Sequence, residues 1–327
     1  MRPLRSFRSD TPTTGTLLHA AYERRAAEAA PCSDDDWRRD HMGASVLGHK
    51  CDRYLWLSFR WAGSKNLSGR MLRLLERGRS EESWLAEDLR AIGIKVWDRD
   101  PNTNEQFRVR WNHVGGGCDL VLLGLIEAPE IPHVGELKTS NAKQFARLKE
   151  KGVEAAKPEH FTQMQVYMHG LKLEWALYLC VCKDTDEIYT ERVAYSEAFA
   201  IAAVARGEHI ALLANPPKRQ ETPDYPPCML TSKDGTQWPC QFHNQCWKGG
   251  IPARSCRTCI SSTPLPDGTW RCDHHRGMAI DRMEQRRACE YHVSMPSIVG
   301  HQVVSVEGRR ITYQTAEGEV LVDGVTG

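Results

Sequence analysis

Three residues in two short segments have the types and spacing for phosphate chemistry. Asp119 lies in GGGCDLVLLG, and Glu136 and Lys138 lie in HVGELKTS. Both segments read as strands, so a period of two puts Glu136 and Lys138 on one face. Two carboxylates offer the hard oxygen ligands that Mg2+ prefers while it keeps several waters. An ion held there lowers the pKa of a bound water and offsets charge developing on a phosphate. An adjacent ammonium orients that water or neutralises the same charge. A Glu-x-Lys pair alone is more often a surface ion pair, so the reading depends on its surroundings.

Two helices supply those surroundings. Along 68–92, Met71, Leu75, Gly78, Glu82, Leu85 and Leu89 fall within roughly 40° of one another at a turn of roughly 100° per residue. Glu82 thus stands in an apolar stripe, where a carboxylate needs a cation or a donor. A metal ion and an ordinary buried ion pair with an arginine both meet that need. Gln163 and Tyr167, four apart in HFTQMQVYM, share one helical face and can position a phosphate or an attacking water. The formal net charge of +1 announces no nucleic-acid binder, so phosphate contacts must come from local basic clusters. Arg70, Arg73, Arg77 and Arg79 form one such cluster, and a solvated helix face is an equal reading of them.

The elements that must position these residues follow from periodicity. Residues 1–44 read as a helical lead-in carrying Leu17, Leu18 and Ala21, broken at Asp34–Asp36. Helices are expected over 45–61 and 68–92, then strands over 95–98, 107–111, 118–123 and 133–138. Helices over 142–151 and 159–171, paired strands over 176–182 and 187–194, and a helix over 196–213 complete 45–215 as an α/β core with a mixed central sheet. Pro216, Pro217 and the stretch ETPDYPPC at 221–228 mark a boundary. Beyond it come a cysteine-containing linker at 216–250, a lobe at 251–297, and a β-hairpin tail at 298–327.

Seven of the twelve cysteines fall between Cys228 and Cys289. No run approaches the roughly 18 apolar residues of a membrane span, and no apolar N-terminal stretch resembles a signal peptide. A cytoplasmic location is therefore the default expectation, and clustered cysteines there point to metal rather than disulfides. Cys256-x2-Cys259, then Cys272, then Cys289-x2-His292 follow the spacing of a zinc site. The segment STPLPDGTW between Cys259 and Cys272 reads as a hairpin turning at Asp267–Gly268, giving a small zinc-ribbon-like lobe. Cys256, Cys259, Cys272 and Cys289 are the favoured ligands, with His292 in reserve.

Taken in order, GASVLGHKCDRYLWLSFRWA at 43–62, MLRLLERGRSEE at 71–82, GGGCD at 115–119, GELKT at 135–139 and AKPEHFTQMQVYM at 156–168 resemble the RecB-like branch of the PD-(D/E)XK nucleases. The likeness is to phage-encoded exonucleases of that branch. It implies a restriction-endonuclease-like α/β core, with Glu82, Asp119 and Glu136 binding Mg2+ or Mn2+ and Lys138 assisting attack. Gln163 and Tyr167 match its helical Gln-x-x-x-Tyr motif. The family's proline is Cys118 here, and Glu82 stands where many members have histidine. In related nucleases a cysteine in the context of Cys51 joins three C-terminal cysteines on a [4Fe–4S] cluster. Cys240 and Cys246 match that spacing, but Gln237 stands at the first position; Cys228 or His243 substitutes, or the cluster is lost. The resemblance implies a metal-dependent DNA exonuclease resecting duplex ends, with a single-strand annealing protein as partner and, if phage-encoded, the host cytoplasm as its location. The alternative is a catalytically silent, zinc-organised DNA-binding module.

Overall fold

The computed structural model describes residues 14–28, 38–63, 67–231 and 235–324. In chain order the main helices are α1 (Thr14–Glu28), α2 (Asp52–Phe59), α3 (Gly69–Ala91), α4 (Ala142–Ala156), α5 (Pro158–Leu171) and α6 (Glu197–Leu212). The strands of the principal sheet are β1 (Lys95–Trp97), β2 (Leu120–Leu123), β3 (His133–Ser140), β4 (Trp175–Cys182) and β5 (Ile188–Ala194). The chain divides into two compact units, one holding α1 and α3 and the other holding everything described from residue 38 to 63 and from 94 onward.

In the first unit, α3 begins where the sequence predicts. Ser68 caps it by accepting from the Met71 amide at 3.4 Å. Glu23 of α1 accepts from the Gly69 amide at 2.6 Å, satisfying another donor of that first turn. The stripe expected on α3 is only partly buried. Leu85 and Leu89 are 5% and 7% exposed, but Leu75 is 45% exposed. Glu82 is half-buried, not deep in an apolar face, and the four arginines Arg70, Arg73, Arg77 and Arg79 are exposed.

The second unit is built on a five-stranded sheet in the spatial order β1-β2-β3-β4-β5. Neighbours are antiparallel except β3 and β4, which run parallel. A parallel step needs a long crossover, and α4 and α5 provide it. β4, with the sequence WALYLCVC, is buried at every position after Trp175, as a central strand covered on both faces must be. A second sheet, ordered Met42–Gly43, Val114–Gly117, Arg108–Arg110, runs from the N-terminal side of the unit into the segment before β2.

The single helix expected over 45–61 is two. A short turn at Ala44–Leu47 is separated from α2 by Gly48–Cys51. The carbonyls of Leu47 and His49 are taken up by the Arg206 guanidinium at 2.8 Å each, which replaces the missing helical bonds. Asp119, expected inside a strand, lies at a bend just ahead of β2.

Beyond α6 the expected hairpin forms. Ser262–Pro264 pairs with Trp270–Cys272, and Gly268 takes the positive φ of 87° that its turn requires. The tail forms a three-stranded antiparallel sheet, Gln302–Glu307, Arg310–Gln314 and Val320–Asp323. Trp270 and Ile298 belong to the same buried cluster as Trp56, Leu148, Tyr178 and Ile210, so these C-terminal segments share the core of the sheet. No helix among the described residues is long and apolar enough to cross a membrane.

Candidate active site

The register of β2 and β3 explains why the acidic residues meet. Leu120 pairs with Gly135 and Val121 with Val134, so the next position would set Asp119 opposite Glu136. Opposed residues of an antiparallel pair point to the same face. Lys138, two beyond Glu136, adds its side chain to that face. The structure brings these three groups together. Lys138 Nζ stands 2.6 Å from Glu136 Oε1 and 3.6 Å from Asp119 Oδ2, and donates to the Leu137 carbonyl at 3.0 Å. Glu136 is fully buried, whereas Asp119 and Lys138 keep 30% and 23% of their side chains exposed. The buried carboxylate is thus held on the rigid strand, and the partly open groups face solvent.

α5 covers this face. Gln163 Nε2 donates to the Tyr167 hydroxyl at 3.1 Å, and both side chains are buried. Burial first, then the charges of Glu136 and Asp119, hold the Tyr167 hydroxyl well above its ordinary pKa. It stays protonated and keeps an O–H to donate. Gly116 makes room for the ring, since a Cβ there would stand 3.0 Å from Tyr167 Cε1 and 3.1 Å from its hydroxyl oxygen. Cys118, fully buried, donates to the Leu120 carbonyl at 3.1 Å, and burial followed by Glu136 and Asp119 keeps it a thiol.

One member of the site escaped sequence reasoning. His160 lies on α5 one turn before Gln163, with Nδ1 2.8 Å from the Tyr178 hydroxyl. Burial lowers its pKa from 6.5 to about 3, and the nearby charges of Lys138 and Lys157 push the same way. It is neutral at physiological pH. Its three-residue spacing from Gln163 was the available signal, though a histidine in an amphipathic helix rarely stands out. Glu82 belongs to the other unit and is placed by α3 alone.

The cysteines gather in two places. Met229 pairs with Pro239, and the Cys240 amide donates to the Cys228 carbonyl at 2.8 Å, so those two residues face each other at the base of a hairpin. Cys51 and Cys246 line the same cavity with them, beside His49 and His243. Burial raises the Cys240 thiol to about 11, with Cys246, Cys228 and Cys51 adding to it. Gln237 instead pairs with Thr231, on the exposed part of the hairpin. The other four, Cys256, Cys259, Cys272 and Cys289, lie in the C-terminal segments, and all eight are free thiols. Among the described residues, no group of three or more His, Cys, Asp or Glu side chains is set to hold a metal ion as it stands.

No family model matches the chain, and no curated protein matches it. Among solved structures the chain is similar to an alkaline exonuclease (LHK-Exo) from Laribacter hongkongensis, at 15% identity and a TM-score of 0.37, over 53% of this chain and 89% of that one. LHK-Exo in complex with dAMP gives 14% and 0.36, over 53% and 87%. SSO0001 gives 14% and 0.38, over 64% and 90%. These low values describe a partial likeness of fold, and the chemistry of the site stands on its own geometry.

Proposed function

We propose that this chain is a divalent-metal-dependent deoxyribonuclease of the PD-(D/E)XK type, hydrolysing phosphodiester bonds from the ends of duplex DNA. The observation that carries the reading is Lys138 set between Glu136 and Asp119 on one face of the sheet. The donor set fits a hard cation: Asp119 and Glu136 supply carboxylate oxygens, and the partial exposure of Asp119 leaves room for the waters that Mg2+ or Mn2+ retains. When bound, such an ion supplies an activated water and offsets charge on the phosphate.

The chain's own residues account for the rest. Lys138 brings a fixed positive charge to where a phosphate becomes more negative, which favours the transition state over the bound substrate. Its short contact with Glu136 and its bond to the Leu137 carbonyl hold the ammonium in place before substrate arrives. Tyr167, kept protonated, offers a neutral donor beside two carboxylates, where an anion would repel the phosphate. Gln163 fixes the direction of that hydroxyl. His160 stays uncharged beside Lys138 and so does not take its place as the local cation.

End-labelled linear duplex and closed circular DNA, each with and without Mg2+, test the reading. Release of label from the linear form only with Mg2+, and survival of the circle, are expected. Binding of DNA without cleavage in either Mg2+ or Mn2+ would instead identify a silent DNA-binding module.

The reading extends to Cys51, Cys228, Cys240 and Cys246 as holders of a [4Fe–4S] cluster, which takes four thiolates. Four thiols lining one cavity support that donor set, and the hairpin base that sets Cys228 beside Cys240 favours Cys228 over His243 in place of the cysteine missing at Gln237. Iron analysis of protein purified without oxygen tests this, with loss of iron expected in Cys228→Ser.

A further inference from the structure

Hydrogen bonds, backbone and side-chain, draw three separate cysteine segments together in the C-terminal part of the second unit. The Cys259 amide donates to the Cys256 carbonyl at 3.0 Å, closing a tight Cys-x2-Cys turn. The Ser262 amide donates to the Cys259 carbonyl at 3.2 Å, and Ser262 pairs with Cys272, so the hairpin returns Cys272 to that turn. Arg254 then donates to the Cys289 carbonyl at 2.6 Å, tying the fourth cysteine to the segment just before Cys256. We propose that Cys256, Cys259, Cys272 and Cys289 form a structural zinc site whose Cys-x2-Cys turn seats Arg257 in the core of the second unit.

Backbone pairing also sets the 289–295 segment beside the turn: Cys259 bridges to Ser294, the Ile260 amide donates to the Val293 carbonyl at 2.9 Å, and the Met295 amide donates to the Thr258 carbonyl at 2.9 Å. Among the described residues no three of these side chains are set to hold an ion as they stand. Cys256 Sγ lies 3.5 Å from the Glu284 carbonyl, turned toward it as a protonated thiol that donates a hydrogen bond. Binding Zn2+ releases the thiol protons to solvent and removes that hydrogen bond, leaving Cys256 to turn inward about one side-chain torsion. His292 is the weaker candidate. Its Nε2 lies 3.3 Å from the Thr258 hydroxyl and is engaged there.

Arg257, between the first two cysteines, shows what the turn is for. It is 1% exposed and donates to the Phe59 carbonyl at 2.8 Å, the Asp40 carbonyl at 2.9 Å and Gln285 Oε1 at 2.7 Å. Its guanidinium also lies 4.0 Å from the ring centre of Trp61 and 4.7 Å from that of Trp270. A buried guanidinium is tolerated only where its donors and faces are met in a fixed geometry. A closed four-thiolate zinc turn is rigid enough to hold it there.

The test uses the full chain reconstituted with Zn2+ and measures bound metal together with the accessibility of each cysteine to alkylation. About one zinc per chain, with Cys256, Cys259, Cys272 and Cys289 protected by it, is expected for a closed site. Cys272→Ser should lose that zinc and His292→Ala should keep it. Co2+ in place of Zn2+ should give the visible absorption of a tetrahedral thiolate site, and this reading does not depend on any variant folding. Absence of zinc from reconstituted protein with free thiols would overturn the site. So would zinc that persists in Cys272→Ser, or zinc that protects Cys51, Cys228, Cys240 and Cys246 instead.

Discussion

Lys138 touches Glu136 and lies near Asp119, so removing it takes away both a charge at the site and the restraint on two carboxylates. We expect Lys138→Ala and Asp119→Ala each to slow cleavage of linear duplex by about 10²–10³ or more while the melting curve holds. Cleavage at the parental rate by either variant would sink the assignment. His160 makes a prediction about pH. Its folded pKa, about 3, lies below its ordinary 6.5, so the unfolded chain takes up the proton first. The stability it contributes is whole above about 6.5 and declines as pH falls toward about 3. His160→Gln should flatten that part of the stability profile relative to the parent. Identical slopes for the two proteins would show that His160 is not held neutral.

Elements decide whether the residues meet. Gly116 lets Val114–Gly117 pass close under α5, since a Cβ there would crowd Tyr167 at 3.0 Å. Gly116→Val should displace the ring, cost about 1–3 kcal/mol through overpacking, and lower activity by more than the melting shift explains. Unchanged turnover with lowered stability would separate Tyr167 from the chemistry. α3 poses a different question, because Glu82 on it is half-buried. If Glu82 is a metal ligand, Glu82→Gln should raise the Mg2+ concentration needed for activity with little change in melting, since it removes charge and keeps shape. A melting loss with the same Mg2+ requirement would make it a structural group. The helix itself was legible from its N-cap serine and its spacing, but the depth of its stripe was not. Angular position says which way a residue points, not whether anything packs there.

Across the second unit, Phe242 and Trp270 of the cysteine-rich segments belong to the buried cluster of the α/β sheet, while Val293, Val299, Ile311 and Tyr313 form a smaller cluster under the C-terminal sheet. Trp270, 2% exposed and stacked near Arg60 and Arg257, joins the hairpin to α2 and its flanking residues. Trp270→Ala should cost about 3–5 kcal/mol and lower the transition of the sheet together with the hairpin. Hydrogen exchange that exposes the hairpin alone, with β3 and β4 still protected, would show that the segments unfold separately.

The local pattern by itself determined the order and type of most elements, because period and capping are written in neighbouring residues. Lys95–Trp97 through Glu197–Leu212 follow the expected succession apart from the unexpected strand Val114–Gly117, and the Asp267–Gly268 turn forms where its residues require. It also determined that Glu136 and Lys138 share a face, since strand geometry alone dictates that. Only the tertiary structure decided that Asp119 and Glu136 both reach Lys138, because this depends on the register between two strands. Likewise, the break between Ala44–Leu47 and α2 depends on Arg206, more than 150 positions away along the chain. His160 joins the site through β3 and β4, and Cys228 meets Cys240 through a hairpin rather than through the spacing of a motif. Such meetings are set by which surfaces pack and which hydrogen bonds close at long range, and no window of neighbouring residues carries that information.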